Sequence, residues 1–570
     1  MGLMTGALQI GRSALLAYQS ALQVVGNNIA NVGSASYTRQ SPLLAPANGV
    51  RLPEGFTPGG GVALASLKRN VDASLENRIR YAVGDQGDAL VQQQVLGRIE
   101  AVLNELTDGD LSTLLQEFFN SFEGLQNEPH DGGARGVVLT AGAALAREIQ
   151  RQRADSLALR DELNRQIESA AGEADRIARD IARINSQIVE VESTGYGGAN
   201  SLRDQRDELL RQLANFAQIE VREQPNGSVN VYVGNEPLIQ DGFYRGLTTE
   251  TELTNGQPRT VVRFSDNNGL VALGGGQIGG MMASRDQHVM GHVDELNALA
   301  AALIREVNKV HARGRGLVGF TDVTGDYDVL DPDAALNTAA AGLGFAPQNG
   351  SFTIAVRNQT SGLSNSAVIT VDLDGIGADD TLATLVAQIN AKVGNVTAEV
   401  TPDNRLRLRA ADGFEIAFGE DSSNALAALG VNTFFNGSDA QDITISTLLE
   451  ANPDLIAAGA GTGAAGDGAN AAALAALAET SLGTLGGRSI TEYYNTIASS
   501  IAVKGSAATA GVQAADLIWG SLTAQRESIS GVSLDEETIS LLRLERAFQG
   551  AARYSSTVDR LIQETLQLVG

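Results

Sequence analysis

The sequence predicts a multidomain α+β protein: long antiparallel coiled-coil helices from both chain ends plus a helical bundle, with inserted β-rich domain(s). Three observations lead there. All 12 prolines lie between Pro42 and Pro453, and none falls between Pro129 and Pro225. A proline inside a helix costs about 3 kcal/mol, so long helices belong in those gaps. Within the gaps apolar residues recur about every 3.5 residues, and between them the period falls to two.

At the N-terminus the row is Met4, Leu8, Gly11, Leu15, Tyr18, Leu22, Val25, Ile29 and Val32, closed by Gly33. This is a coiled-coil seam with a glycine able to end the helix. Pro42 to Pro58, followed by Gly59, Gly60 and Gly61, reads as an extended loop. The second gap repeats the seam at Leu163, Ile167, Ala170, Ala174, Ile177, Ile181, Ile184, Ile188 and Val191. A helical return runs from Ser201 through Leu209, Leu213 and Phe216. Val229, Val231 and Val233 alternate after the Asn226-Gly227 turn signal, which predicts a β-hairpin region. Another helix carries Met282, Val289, Val293, Leu296, Leu303, Val307 and Val310 on one side.

From Phe320 to Asp442 short alternating strands, such as Phe352–Val356 and Arg405–Arg409, surround one helix near Thr381 to Lys392. Ala457 to Ala469 reads as a linker. Beyond Pro453 one helix should carry Ile490, Tyr494, Ile497, Ile501, Ala508, Ala515, Ile518, Leu522 and Ile529. Ser533-Leu534-Asp535-Glu536 reads as a capping box opening a last helix with Leu541, Leu544, Phe548, Ala551, Val558, Ile562 and Val569 on its seam. The predicted domains are 1–45 with 531–570 as paired terminal helices and 46–320 with 450–530 as a helical body. That body holds the hairpin region near 219–265, and 321–449 forms an inserted outer β-rich domain.

Composition narrows the function. With 41 basic and 67 acidic residues the formal charge is -26, which repels phosphate backbones and anionic lipid. The expectation is no nucleic acid and no membrane insertion, since no apolar run approaches the ~18 residues of a spanning helix. There is no cysteine, hence no disulfide or thiolate metal site. A basic n-region with an uninterrupted apolar core is missing, so export without a cleavable signal peptide is expected.

No catalytic, cofactor or metal residues are predicted. Gly274 to Gly279 formally fits G-x-G-x-x-G, but Asp294 then falls inside a helix instead of ending a strand. His288 and His292 have metal spacing without an evident third ligand. Asp372-Leu373-Asp374-Gly375 lacks the spacing of a calcium loop, and no G-x-S-x-G nucleophile elbow is present.

Asn27-Asn28-Ile29-Ala30-Asn31-Val32, then Tyr37-Thr38-Arg39-Gln40, resembles the N-terminal signature of flagellar rod, hook and hook-associated proteins. Where that family carries Thr-Pro-Gly before the tyrosine, this chain has Ser34-Ala35-Ser36. Ser530 to Glu537 with Ala547-Phe548-Gln549 is similar to the C-terminal signature. Leu202 to Leu209, Gly275 to Gly280 and Leu429 to Phe435 resemble interior segments of the hook-associated protein 1 family.

The resemblance implies a structural subunit at the hook–filament junction, without enzymatic activity. Its implied partners are identical subunits in a ring, the hook protein, a second junction protein, and a cytoplasmic export chaperone on the C-terminal helix. The implied location is extracellular, on the flagellum, after type III export. Candidate assembly residues are Leu8, Leu15, Leu22, Asn27, Asn28, Ile29, Asn31, Tyr37, Leu541, Leu544, Phe548, Val558 and Ile562. The same seams also read as purely intramolecular coiled coil. Alternatives are another axial protein, hook or distal rod, or an appendage subunit with an enzymatic insert.

Overall fold

The computed structural model describes residues 2–34, 36–49, 59–103, 109–193, 198–240, 242–254, 256–461 and 467–569. Ala35 and all of the Pro42–Pro58 stretch beyond Gly49 lie outside them. The helices are α1 (Gly2–Ala30), α2 (Ala73–Leu103), α3 (Leu111–Asn127), α4 (Gly132–Ser193), α5 (Asn200–Phe216), α6 (Gly276–Ala283) and α7 (Met290–Ala312). There follow α8 (Leu382–Lys392), α9 (Ala425–Ala428), α10 (Thr447–Ala451), α11 (Ala469–Ala475), α12 (Ile490–Ser530) and α13 (Leu534–Val569). No helix among the described residues is long and apolar enough to cross a membrane.

Two compact units form, and their borders differ from the predicted ones. The first comprises Met1–Gln94, Asp161–Ser284 and Ala507–Gly570; the second comprises Val95–Arg160 and Arg285–Ser506. The predicted body of 46–320 and 450–530 is therefore not one unit, because the borders fall inside α2, α4 and α12 and in the π-helical turn that begins at Ser284. Segment 321–449 is likewise no separate module, for a reason given below.

In the first unit α1 packs along α13 and against a hairpin of Gln40–Pro46 with Val62–Arg69. The supposed loop after Pro42 thus begins as strand; Pro42 and Pro46 lie in a two-stranded sheet whose edges tolerate a missing N–H. The α4 seam is buried from Leu163 to Ile188, while Val191 is 41% exposed. Ile184 and Ile188 pack with Ala199, Leu202 and Leu209 of the return helix. The hairpin turns at Gly227 with φ 83, where Gln224 N–H bonds Ser228 O, and leads into a four-stranded antiparallel sheet. Leu75, Ile79 and Ala82 of α2 hold Leu522 of α12. Ile518 and Ile529, predicted on the α12 seam, are 56% and 43% exposed, because the buried row runs through Val512, Ala515 and Leu522 instead. Between α6 and α7 a π-helical turn, Ser284–Val289, adds a residue, and Met281 is buried in place of Met282.

The second unit is built around an aromatic cluster. Phe118 and Phe122 of α3 meet Phe434, with ring centroids 5.6 Å apart in each pair, and Phe434 meets Phe435 at 4.9 Å. These two phenylalanines come from the supposed outer insert, so that segment supplies core to the helices around it. Polar residues lock the same place. Asn308 accepts from the Phe434 and Phe435 amides and donates to Phe435 O. Asn432 donates to the carbonyls of His311, Ala312 and Gly314 at the end of α7. Arg135, 1% exposed, donates to Pro129, Pro453 and Ile456 carbonyls. Thr381 caps α8 in a capping box with Thr384, and the helix packs on strands Ser364–Val371 and Val396–Val400.

The supposed Ala/Gly linker is partly strand. Gly459–Ala460 pairs with Gly314–Arg315, and Ala457 and Ala458 are buried. Its glycines permit close approach: a Cβ on Gly461 would lie 1.9 Å from the Gly419 Cα. Residues 462–466 lie outside the described ones.

Two buried histidines give this unit a definite acid response. His311 Nδ1 bonds Asn432 O at 2.8 Å, so it carries the proton, and Nε2 accepts from Ala457 N–H at 3.0 Å. Both contacts require the neutral ring. His292 is 2% exposed with neither ring nitrogen partnered. Burial pushes each down to about 4 from 6.5. A depressed base binds fewer protons folded than unfolded, so stability is whole above pH 6.5 and falls as pH drops toward 4. Replacing His292 by Leu should remove a contribution of up to about 3 kcal/mol to this acid sensitivity. Thermal midpoints of wild type and His292→Leu at pH 7 and pH 4.5 check it: the variant's advantage should be larger in acid.

Candidate assembly site at the chain ends

The α1 face turned inward is a row of small residues. Ala17, Ala21, Val24, Val25 and Asn28 are at most 9% exposed, and a Cβ on Gly11 would meet Ser555 Cβ at 3.2 Å. Small side chains let α13 come close there. The predicted seam shares Gly11 and Val25 with this row, but its larger members sit to the side: Leu15, Leu22 and Ile29 are half-buried and Leu8 is 37% exposed. On α13 the row Glu537, Leu541, Leu544, Phe548, Ala551, Ser555, Val558 and Ile562 keeps the 4–3 spacing and is the least exposed face. Val558 is buried and the other apolar members are half-buried. One neighbouring helix cannot cover an amphipathic face completely. Leu16, Ile539, Leu542, Leu561 and Leu566 remain between 49% and 66% exposed, and on α12 Leu517 is 76% exposed. Large apolar side chains left exposed in this number on paired helices point to an interaction surface.

Where α1 ends, the chain turns through a polar elbow centred on Asn28, 1% exposed. Its Nδ2 donates to Gln40 O and to Glu537 Oε2, both at 2.9 Å. Its Oδ1 accepts from Tyr37 OH at 2.7 Å and from Gln40 N–H at 3.1 Å. All four hydrogen-bonding positions of the amide are thus filled. Arg39 closes the other side, with Nε to Glu537 Oε1 at 2.8 Å and a second nitrogen to Glu536 Oε2 at 2.6 Å. Glu536, expected to close a capping box with Ser533, pairs with Arg39 instead. Burial, with the charges of Asp204 and Glu537, pushes the Tyr37 phenol up to about 12. Asn27 is exposed, and its backbone carbonyl and side-chain oxygen accept from Asn31 Nδ2.

Of the candidate residues, the elbow brings together Asn28 and Tyr37, whereas Asn27 and Asn31 only close the last turn of α1. Glu537, Arg39, Gln40 and Asp204 complete the elbow without having been singled out. Their signal was present in the Tyr37–Gln40, Leu202–Leu209 and Ser530–Glu537 motifs. Asp204 accepts from Thr38 N–H at 3.4 Å and from Arg69 Nε at 2.9 Å. Burial pushes its carboxyl up, and Arg69 pulls it back.

The glycine run serves chain packing. Gly275 and Gly276 have φ 60 and φ 64, and a Cβ on Gly276 would meet Phe216 C and Ala217 N at 2.5 Å. His288 and His292 belong to no carboxylate–imidazole cluster among the described residues; the one close group is Asp372, Asp374 and Asp379. There Asp379 and Asp374 already accept from the Gly375 and Ile376 amides.

Residues 96–325 match the family model of the flagellar hook-associated protein FlgK helical domain, and 524–568 match the flagellar basal body rod FlgEFG protein C-terminal model. The chain is 26% identical to flagellar hook-associated protein 1 of Escherichia coli over 581 residues, covering 99% of this chain and 100% of that one. Along its whole length the chain is similar to flagellar hook-associated protein 1. The Salmonella typhimurium member is 26% identical, covering 99% of this chain and 100% of its own. The Bacillus subtilis member is 24% identical, covering 99% and 98%. The solved hook junction protein FlgK of Burkholderia pseudomallei aligns with TM-score 0.48 at 16% identity, covering 80% of this chain and 100% of that one. The family is one of structural flagellar proteins.

Removing the Asn28 amide leaves Glu537, the Tyr37 hydroxyl and two Gln40 backbone groups short of partners. Asn28→Ala should destabilise the paired ends by about 2–3 kcal/mol. Arg39→Ala, which leaves the Asn28 bond to Glu537, should cost less. Urea unfolding followed by circular dichroism checks the ranking.

Proposed function

We propose that this chain is a structural subunit of the bacterial flagellum, placed at the hook–filament junction, which assembles through its paired terminal helices. The observation that carries the reading is the unfinished apolar surface of α1, α12 and α13. Leu16, Leu517, Leu542 and Leu561 are each about half exposed or more on helices already paired inside the chain. Burying the exposed part of such leucines against a neighbour is worth about 1–2 kcal/mol each, which one copy cannot gain alone. Identical subunits in a ring supply the natural complement, with the hook protein on one side and a second junction protein on the other. The candidate residues Leu8, Leu15, Leu22 and Ile29 edge the open side of α1, while Leu541, Leu544, Phe548 and Ile562 lie on the least exposed face of α13 and are only half-buried there. Before assembly a cytoplasmic chaperone would cover the C-terminal helix. The role is mechanical, without catalysis.

Leu542→Asp and Leu561→Asp test this. Both sites are exposed in the single chain, so the monomer's thermal midpoint should shift by no more than about 0.5 kcal/mol equivalent. Incorporation into flagella should be abolished, with unpolymerised flagellin released to the medium. Normal filaments with both substitutions would refute assembly through this face.

Truncation after Gly531 should likewise abolish incorporation while most of the helical signal survives. Deleting 320–450, by contrast, should unfold the second unit, since Phe434 and Phe435 leave with it. Loss of cooperative unfolding by calorimetry checks that outcome.

A further inference from the structure

The first unit holds a cavity of about 430 Å³ whose wall includes Arg69, Arg80, Arg203 and Arg206. Four carboxylates share that wall, and each is already taken. Asp207 accepts from Arg69, Glu192 and Glu223 accept from Arg203, and Glu76 accepts from Arg211 and Arg526. Two guanidinium groups are left without a carboxylate in hydrogen-bond contact. Arg80 donates to Asn77 Oδ1, and its Nε is buried with no partner. Arg206 donates to Asn185 Oδ1 at 3.3 Å and to Gly227 O at 2.7 Å, and its Nε too is buried with no partner. Their exposures are 7% and 2%.

Asp207 acts on both from beyond hydrogen-bond reach, with Glu76 on Arg80 and Glu223 on Arg206. A buried cation with no anion in direct contact is still costly, and a planar guanidinium is suited to two oxygens at once. Burial holds both arginines below their ordinary range, which is the cost expressed as proton affinity. We infer that this cavity binds a small oxoanion of the phosphate or carboxylate class, held by Arg80 and Arg206. The cavity has room for such a group with several waters, a water occupying about 30 Å³. The neighbouring paired carboxylates keep the affinity modest. The oxoanion comes either from solution or from an acidic side chain of a second copy.

The test uses the full chain and inorganic phosphate, against chloride at matched ionic strength. Phosphate stabilises proteins generally by exclusion, so the deciding quantity is the difference between wild type and variants. Wild type should gain about 2–4 °C in thermal midpoint, saturably. Arg80→Gln should lose that gain. Asn77→Asp places a carboxylate where the amide oxygen meets Arg80, so it should raise the midpoint without phosphate and abolish the response. If Arg80→Gln does not fold, Asn77→Asp decides. Sedimentation without phosphate separates the sources: phosphate-reversible self-association points to the second copy, and a monomer throughout points to the free ion. An identical phosphate gain in wild type and Asn77→Asp, or no gain in wild type over chloride, would overturn the site.

Discussion

One buried amide ties the two ends of this chain together. Asn28 reaches Glu537 across 509 residues of sequence while its remaining positions fasten Tyr37 and Gln40. Glu537, 2% exposed, needs Asn28 and Arg39 together, since a carboxylate at that depth is unfavourable without donors. The elbow after α1 and the start of α13 are therefore set by the same few groups. From there Asp204 and Arg69 extend the network to α5. The register of the terminal helices follows from this point, because the elbow fixes one end and the close contact of Gly11 with Ser555 fixes the other.

That register explains why so much apolar surface stays open. Alanines and glycine on α1 bring α13 near, and the bulkier leucines are left on the flanks. A closed bundle would bury both flanks. Here a pair of helices buries one strip, and the rest is available to other copies. The second unit is finished differently, with Phe118, Phe122, Phe434 and Phe435 enclosed and their surrounding backbone held by Asn308, Asn432 and Arg135.

The α+β class, the long helices and the hairpin at Asn226-Gly227 were legible, because proline gaps and periodicity report local geometry. The unit borders were not. They fall inside helices whose pattern runs on unbroken, and Phe434 and Phe435 sit far in sequence from Phe118 and Phe122. On the inward face of α1, Gly11 and Val25 were legible, whereas Ala17, Ala21 and Val24 were passed over for neighbouring leucines because alanine rows carry little hydrophobic signal beside leucine rows. Ile518 was assigned to the α12 seam for the converse reason, being apolar at the right spacing yet left exposed. In the elbow, Asn28 and Tyr37 stood out through the family signature, whereas the part of Glu537 depends on a contact that no local pattern encodes. Glu536 looked like a helix cap until Arg39, far upstream, was found to hold it.

The central claim is that identical copies complete the open side of the paired terminal helices. Photo-crosslinking from position 542 in intact flagella tests it most directly. The account predicts crosslinked dimers of this chain in assembled junctions and none in the purified monomer. Intact junctions in which position 542 never reaches another copy would contradict it.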